Sequence, residues 1–216
     1  MILLIFDIDG TLTDTVPMYK QAFIDGLIRM GVQQMDTNFK EYLHHTDSYI
    51  GKVIYEADRH EAFTAAKIEA FEAHLTEIVM QAQIAEIAGA KKLMESLLAD
   101  DEIAIGFATG SMLKPAEHKL EATAIPYRKE VLVAANHIHE RENIVGQAIE
   151  QAKSFYHQTT FDRIISIGDG LWDLKTARNL GIEFIGIGQA NKEIMESHGM
   201  KQYFDDLTEF SIHPPA

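Results

Sequence analysis

Five short runs of this chain are apolar at nearly every position: Ile2–Phe6, Ile103–Ala108, Val131–Ala135, Ile164–Ile167 and Phe184–Ile187. Continuous rather than alternating apolar character predicts strands covered on both faces, as in a parallel sheet. Between these runs the period lengthens to that of a helix. Ala90–Leu98 places Leu93, Leu97 and Leu98 on one stripe, and Ile144–Phe155 does the same with Ile144, Ala148, Ile149 and Ala152. Trp172–Leu180 reads as a short helix stopped by Gly181, whose missing Cβ suits a left-handed cap. Strand and helix in alternation predict an α/β fold, a doubly wound, mostly parallel Rossmann-like sheet.

The stretch between the first strand and Gly89 breaks this rhythm and contains no strand pattern. Val16–Met30 has helical character, and Ala62–Ala82 spaces Phe63, Ala66, Ala70, Phe71, His74, Ile78 and Ala82 by three or four. A coiled coil is disfavoured, because the stripe is short and lacks ordered flanking charges. The expected organisation is therefore an α/β core made of residues 1–14 and 90–216, with a helical insert, a cap, at 15–89. The end Ile212-His213-Pro214-Pro215-Ala216 reads as unstructured.

Composition narrows the partners. The chain has 216 residues, 46% of them apolar, which suffices for a sizeable core. Lys plus Arg number 19 against 33 Asp plus Glu, a net charge of −14. That balance repels a phosphate backbone, so neither nucleic acid nor an anionic membrane is expected as a partner. A small anionic substrate stays compatible, since one local cationic site outweighs a distant negative surface. The apolar start meets Asp7 at once and has no basic residues ahead of it, unlike a signal peptide or a span. Cysteine is absent, which removes disulfides, thiolate zinc sites and cysteine nucleophiles, and fits a cytoplasmic location.

Candidate chemistry lies at the strand ends, where open parallel sheets collect ligands. The first strand ends in Asp7-Ile8-Asp9-Gly10-Thr11, the second in Thr109-Gly110-Ser111, and the fourth in Gly168-Asp169-Gly170-Leu171-Trp172-Asp173. Four carboxylates and two hydroxyls would share one crevice. Clustered acids raise one another's pKa, and a divalent cation relieves that cost. An oxygen-only ligand set favours a hard ion such as Mg²⁺, which also bridges to phosphate. Of the Asp7–Asp9 pair, one could attack while the other exchanges protons. The Thr109-Gly110-Ser111 turn offers a hydroxyl and backbone N–H groups to an anion.

With these motifs in this order, the chain resembles the haloacid dehalogenase superfamily. Asp7-Ile8-Asp9-Gly10-Thr11-Leu12 is similar to its first motif, Thr109-Gly110-Ser111 to its second, and Gly168-Asp169-Gly170-Leu171-Trp172-Asp173 to its acidic fourth. The helical insert falls where that family carries its C1-type cap. The resemblance implies that Asp7 is a nucleophile forming an aspartyl-phosphate. It implies that Asp9 protonates the leaving oxygen and then activates water. Mg²⁺ would be held by the Asp7 carboxylate, the Asp9 backbone carbonyl and Asp169, with Asp173 steadying the site. Thr109 and Gly110 would hold phosphoryl oxygens.

The family's third motif, a basic residue ahead of the helix before the fourth-motif strand, has no direct match. Arg141, which starts the appropriate helix, is the first candidate and Lys114 the second; an exposed Arg141 paired with Glu140 or Glu142 is the alternative. An acid two residues after the nucleophile points, within this family, to phosphate esters rather than to dehalogenation or phosphonate cleavage. The expected activity is a Mg²⁺-dependent phosphatase for a small phosphorylated metabolite. The opening also resembles phosphoglycolate phosphatases and β-phosphoglucomutases, so a phosphomutase is the runner-up, and a catalytically silent binding relative is a third reading. His137 and His139 lack a third ligand, His44 and His45 read as loop residues, and Trp172 reads as packing. Oligomeric state is not legible.

Overall fold

A computed structural model describes residues 1–212. Six strands form one sheet: β1 (Ile2–Phe6), β2 (Ile103–Ala108), β3 (Leu132–Val133), β4 (Arg163–Gly168), β5 (Glu183–Ile187) and β6 (Tyr203–Phe204). They lie in the order β3-β2-β1-β4-β5-β6, and every pairing is parallel. The sheet thus grows outward from β1 in both directions, which opens a crevice at the carboxyl ends of the central strands. Register aligns those ends. Phe6 stands opposite Phe107 on one side and Ile167 on the other, so Asp7, Ala108 and Gly168 stand at one level.

Among the described residues eight α-helices accompany the sheet: α1 (Val16–Arg29), α2 (Asp47–Arg59), α3 (Ala65–Val79), α4 (Ala90–Leu98), α5 (Leu113–Ala122), α6 (Arg141–Phe155), α7 (Leu171–Leu180) and α8 (Lys192–Ser197). Two groups of buried side chains result. One combines β1, β2, β4 and β5 with the inward stripes of α4 and α6, including Met94, Ile144 and Ala148. The other is built by α1, α2 and α3, where Tyr19, Phe23 and Leu27 meet Ile50, Ile54, Phe71 and Leu75. Phe23 and Phe71 touch edge to face, with centroids 5.2 Å apart. Burying each of these rings contributes roughly 1.5–3 kcal/mol, and the same cluster takes in Met112 from the segment after β2.

Several elements differ from the sequence reading. The helix expected over Ala62–Ala82 runs only from Ala65 to Val79, and the strand expected over Val131–Ala135 shrinks to two residues. The short β6 and the helices α2, α5 and α8 were not anticipated. Residues 213–216, part of the end read as unstructured, lie outside the described residues.

Candidate active site

The end of β1 turns sharply. The Gly10 amide donates to the Thr13 carbonyl at 2.8 Å, and the Thr13 amide donates back to Ile8 at 3.0 Å. Gly10 has φ +77°, and a Cβ there would overlap the Asp169 carboxylate. Glycine therefore serves twice: it permits the left-handed turn and lets β4's carboxylate approach β1.

After β2, the Thr109 amide is taken by the Val133 carbonyl at 3.0 Å, and the Ser111 amide donates to the Thr109 hydroxyl at 3.0 Å. Among the described residues, the Gly110 amide donates to no protein acceptor. The anion donors left in this turn are thus the Thr109 hydroxyl and the Gly110 N–H. Gly110 also has to be small, since a Cβ would lie 2.6 Å from the His45 carbonyl and 2.8 Å from Arg141 Nη1.

After β4, Asp173 accepts from the Gly170 amide at 3.1 Å, which caps the start of α7 and fixes its carboxylate. Arg141 opens α6 and is buried, not exposed. Its Nη2 pairs with Asp173 and lies 3.4 Å from Asp7 Oδ1, while its Nε is buried without a protein partner. Glu140 and Glu142 bond instead to Asn143 and Asn179. Lys114, the second candidate for the basic role, is exposed and reaches toward Glu72 at 3.9 Å.

Asp7, Asp169 and Asp173 offer carboxylate oxygens that all lie within 4.8 Å of one another. The Asp9 side chain turns away from this cluster. Its Oδ1 receives Thr15 Oγ1 at 2.5 Å, its Oδ2 receives Ser111 Oγ at 2.6 Å, and Lys119 Nζ sits 2.7 and 2.8 Å from the two oxygens.

The two acids of the first motif therefore have opposite electrostatics. Burial pushes Asp7 up to about 7; the Arg141 guanidinium opposes this, and Asp173 and Asp9 add to it. Burial also raises Asp169 well above the carboxylate range, with Asp173, Asp7 and Asp9 adding repulsion. Burial alone would raise Asp9 as well, but the Lys119 charge and the hydrogen bonds of Lys119, Ser111 and Thr15 hold it below its ordinary value. Arg141 stays charged, because Asp173 and Asp7 more than offset its desolvation. The cluster of Asp7, Asp169 and Asp173 thus sets three acids against the single guanidinium of Arg141, whereas Asp9 is fully paired.

Helices α1 and α2 close the crevice. Asp47, at the start of α2, donates its amide to the Gly110 carbonyl at 2.8 Å and accepts from the Met112 amide at 2.9 Å and from Tyr19 Oη at 2.5 Å. An inner cavity of about 170 Å³ is lined by Asp7, Asp9, Thr109, Asp169, Tyr19 and Asp47, among others. A second cavity of about 560 Å³ lies outside it, and His45, Trp172 and Arg141 line both. His45 lies in the loop ahead of α2, as read from the sequence, and packs its ring on Trp172 with centroids 4.8 Å apart at 20°.

Burial raises Asp47 to about 6, opposed by the Tyr19 hydrogen bond. Between the unfolded value of 3.8 and about 6 the folded chain holds a proton that the unfolded chain has lost, so stability falls as pH rises through this window. Asp47→Asn, which keeps an oxygen for Tyr19 and Met112, is expected to match wild type near pH 4 and to exceed it by roughly 2–3 kcal/mol at pH 7.5. Urea unfolding at the two pH values checks this; a gain that does not grow with pH would contradict it.

The sequence matches the family model of haloacid dehalogenase-like hydrolases over residues 4–187, and the chain belongs to that family. This defines the class of protein, a hydrolase on a doubly wound α/β core. No protein of curated function matches the sequence. Among solved structures, CbbY from Rhodobacter sphaeroides, in complex with phosphate, is similar at a TM-score of 0.74 and 20% identity, covering 96% of this chain and 95% of that one. A mutant of the same protein, in complex with xylulose-1,5-bisphosphate, aligns with a TM-score of 0.73 at 20% identity over 96% and 95% of the two chains. A phosphonoacetaldehyde hydrolase-like protein from Oleispira antarctica aligns with a TM-score of 0.67 at 17% identity over 96% and 88%. At such identities the likeness is one of fold.

Proposed function

We propose that this protein is a Mg²⁺-dependent phosphatase that hydrolyses a small phosphate monoester through an aspartyl-phosphate on Asp7. The observation that carries this reading is the meeting of Asp7, Asp169 and Asp173 beside Arg141, at the mouth of the Thr109-Gly110 turn. The three acids fit a hard divalent cation: they provide oxygen donors only, and their mutual repulsion is relieved by added positive charge. Asp7, Asp169 and the Asp9 backbone carbonyl would hold the ion, with Asp173 steadying it from Arg141's side. A bound Mg²⁺ supplies charge that keeps Asp7 ionised and screens its approach to an anionic phosphoryl group.

The chain's own residues account for the remaining steps. The Thr109 hydroxyl, the Gly110 N–H and the Arg141 guanidinium hold phosphoryl oxygens. An Asp7 oxygen attacks phosphorus as the ester oxygen departs, and Asp9, protonated by the ester's monoanion on binding, delivers that proton to the departing oxygen. Asp9 then takes a proton from water, whose oxygen attacks phosphorus, breaks the bond to Asp7 and releases phosphate. Residues 15–89 act as the cap, covering the site with Tyr19 and Asp47 and restricting the leaving group. No helix among the described residues is long and apolar enough to cross a membrane, and neither a membrane nor a nucleic acid is part of this reading.

A panel of small phosphate esters, with 4-nitrophenyl phosphate as reference, tests the assignment. Turnover is expected with millimolar Mg²⁺ and is expected to fall at least about 100-fold in excess chelator. Absence of turnover with every ester, or unchanged turnover in chelator, would sink it.

A further inference from the structure

Among the described residues, Lys119 is the one buried cation that the proposed mechanism leaves without a task. It lies on α5 with a side chain that is 0% exposed, an expensive location for an ammonium group unless it is fully engaged. Nζ contacts Asp9 Oδ1 at 2.7 Å, Asp9 Oδ2 at 2.8 Å and Ser111 Oγ at 3.1 Å, and sits 3.1 Å from the centroid of the Tyr19 ring. The Tyr19 ring comes from α1, so that helix covers the Lys119 ammonium.

We infer that Lys119 is a positioning residue that fixes the Asp9 side chain for proton transfer to the departing oxygen, the proton arriving with the ester's monoanion because Lys119 keeps Asp9 ionised in the free protein; this rests on the reading of Asp9 as the proton carrier. Without Lys119, Thr15 and Ser111 would each hold a single oxygen of Asp9. Lys119 alone spans both oxygens, which sets the plane of the carboxylate. Asp9 also follows a strand end and precedes a glycine turn, so its backbone alone does not settle where its side chain points. A carboxylate misplaced by about 1 Å loses most of its effect on a proton transfer.

The alternative is an ion pair that serves folding only. The two differ in leaving-group dependence. kcat/KM reports on the steps up to departure of the alcohol, and a phenolate such as 4-nitrophenolate departs without a proton, whereas an alkoxide needs one. A purely structural lysine would lower kcat/KM for both ester types by the same factor, through the amount of competent enzyme.

The experiment compares wild type, K119M, K119R and D9N on 4-nitrophenyl phosphate and on the alkyl phosphate that wild type hydrolyses fastest. K119M is expected to lose about 100-fold or more in kcat/KM on the alkyl ester and less than about 10-fold on the aryl ester, in line with the usual worth of a general acid. K119R is expected to recover most of the alkyl-ester loss, since it keeps a cation over both oxygens. Equal losses on both esters would overturn the inference. Should K119M not fold, K119Q takes its place, with the same unequal losses expected and equal losses again overturning the inference. D9N separates the two levels of the argument. Equal losses on both esters in D9N mean that Asp9 is not the proton carrier. Unequal losses in D9N with equal losses in K119M mean that only the role of Lys119 fails.

Discussion

Asp7→Asn is expected to abolish phosphate-ester turnover, by about four orders of magnitude or more in kcat, while leaving the fold in place. Removing the nucleophile of a covalent mechanism eliminates the path itself rather than one stabilising contact, hence the size of the effect. The substitution is nearly isosteric, and the site is built to tolerate loss of this charge. Burial and the neighbouring acids already push Asp7 up to about 7, so a neutral group at this position relieves repulsion with Asp169 and Asp173. Arg141 keeps its partner Asp173. In chelator, the thermal midpoint of the variant is therefore expected to equal or exceed that of wild type. Kinetics on 4-nitrophenyl phosphate and a thermal melt check both halves. Residual activity within about tenfold of wild type would remove Asp7 from the reaction.

The same electrostatic layout shows which parts of the site could be read in the sequence. Asp7, Asp169 and Asp173 follow continuous apolar strands, and parallel register forces such strand ends to one level. Their convergence follows from local pattern plus the rules of open sheets. Arg141 came into view only through the resemblance, as the basic residue that opens the helix ahead of the fourth-motif strand. Lys119 was not legible. It sits between Ala116 and Leu120 on the inward side of α5, where a charge breaks the apolar stripe that would have revealed the helix. Pro115 obscured that helix further, although in the first turn a missing N–H costs no intrahelical bond. Asp47 and Tyr19 were hidden for another reason. Their partners are 28 and 65 residues away, and only the docking of α1 and α2 onto the core brings Tyr19, Asp47 and Met112 together. Trp172 and His45 likewise meet only because the two helical layers face each other across the crevice.

Arg141→Met removes the one guanidinium inside the carboxylate cluster, and its effects are expected on activity and stability together. Arg141 is 6% exposed and faces Asp173 and Asp7, so its loss strands two buried acids with nothing to balance them. Breaking a buried pair in this way typically costs about 3–5 kcal/mol at neutral pH. The cost is expected to shrink toward pH 5, where Asp7, raised to about 7, is protonated in the folded state and no longer needs the cation. Millimolar Mg²⁺ is expected to restore part of the lost stability, because it replaces the missing charge among the same acids. Turnover does not recover with it. The guanidinium also presents Nη1 against Gly110 and an unpartnered Nε, the donors proposed to meet phosphoryl oxygens, and a metal at the other side of the cluster cannot reproduce them. A loss of about 10³ in kcat/KM is expected even with saturating Mg²⁺. Arg141→Lys is expected to lie between the two for stability but close to Met for activity, since one ammonium cannot pair with Asp173 and Asp7 while also facing the phosphoryl group. Urea unfolding in chelator and in Mg²⁺, beside ester kinetics, separates these contributions. Wild-type kinetics in Arg141→Met would show that the guanidinium serves the acids alone and takes no part in binding the phosphoryl group.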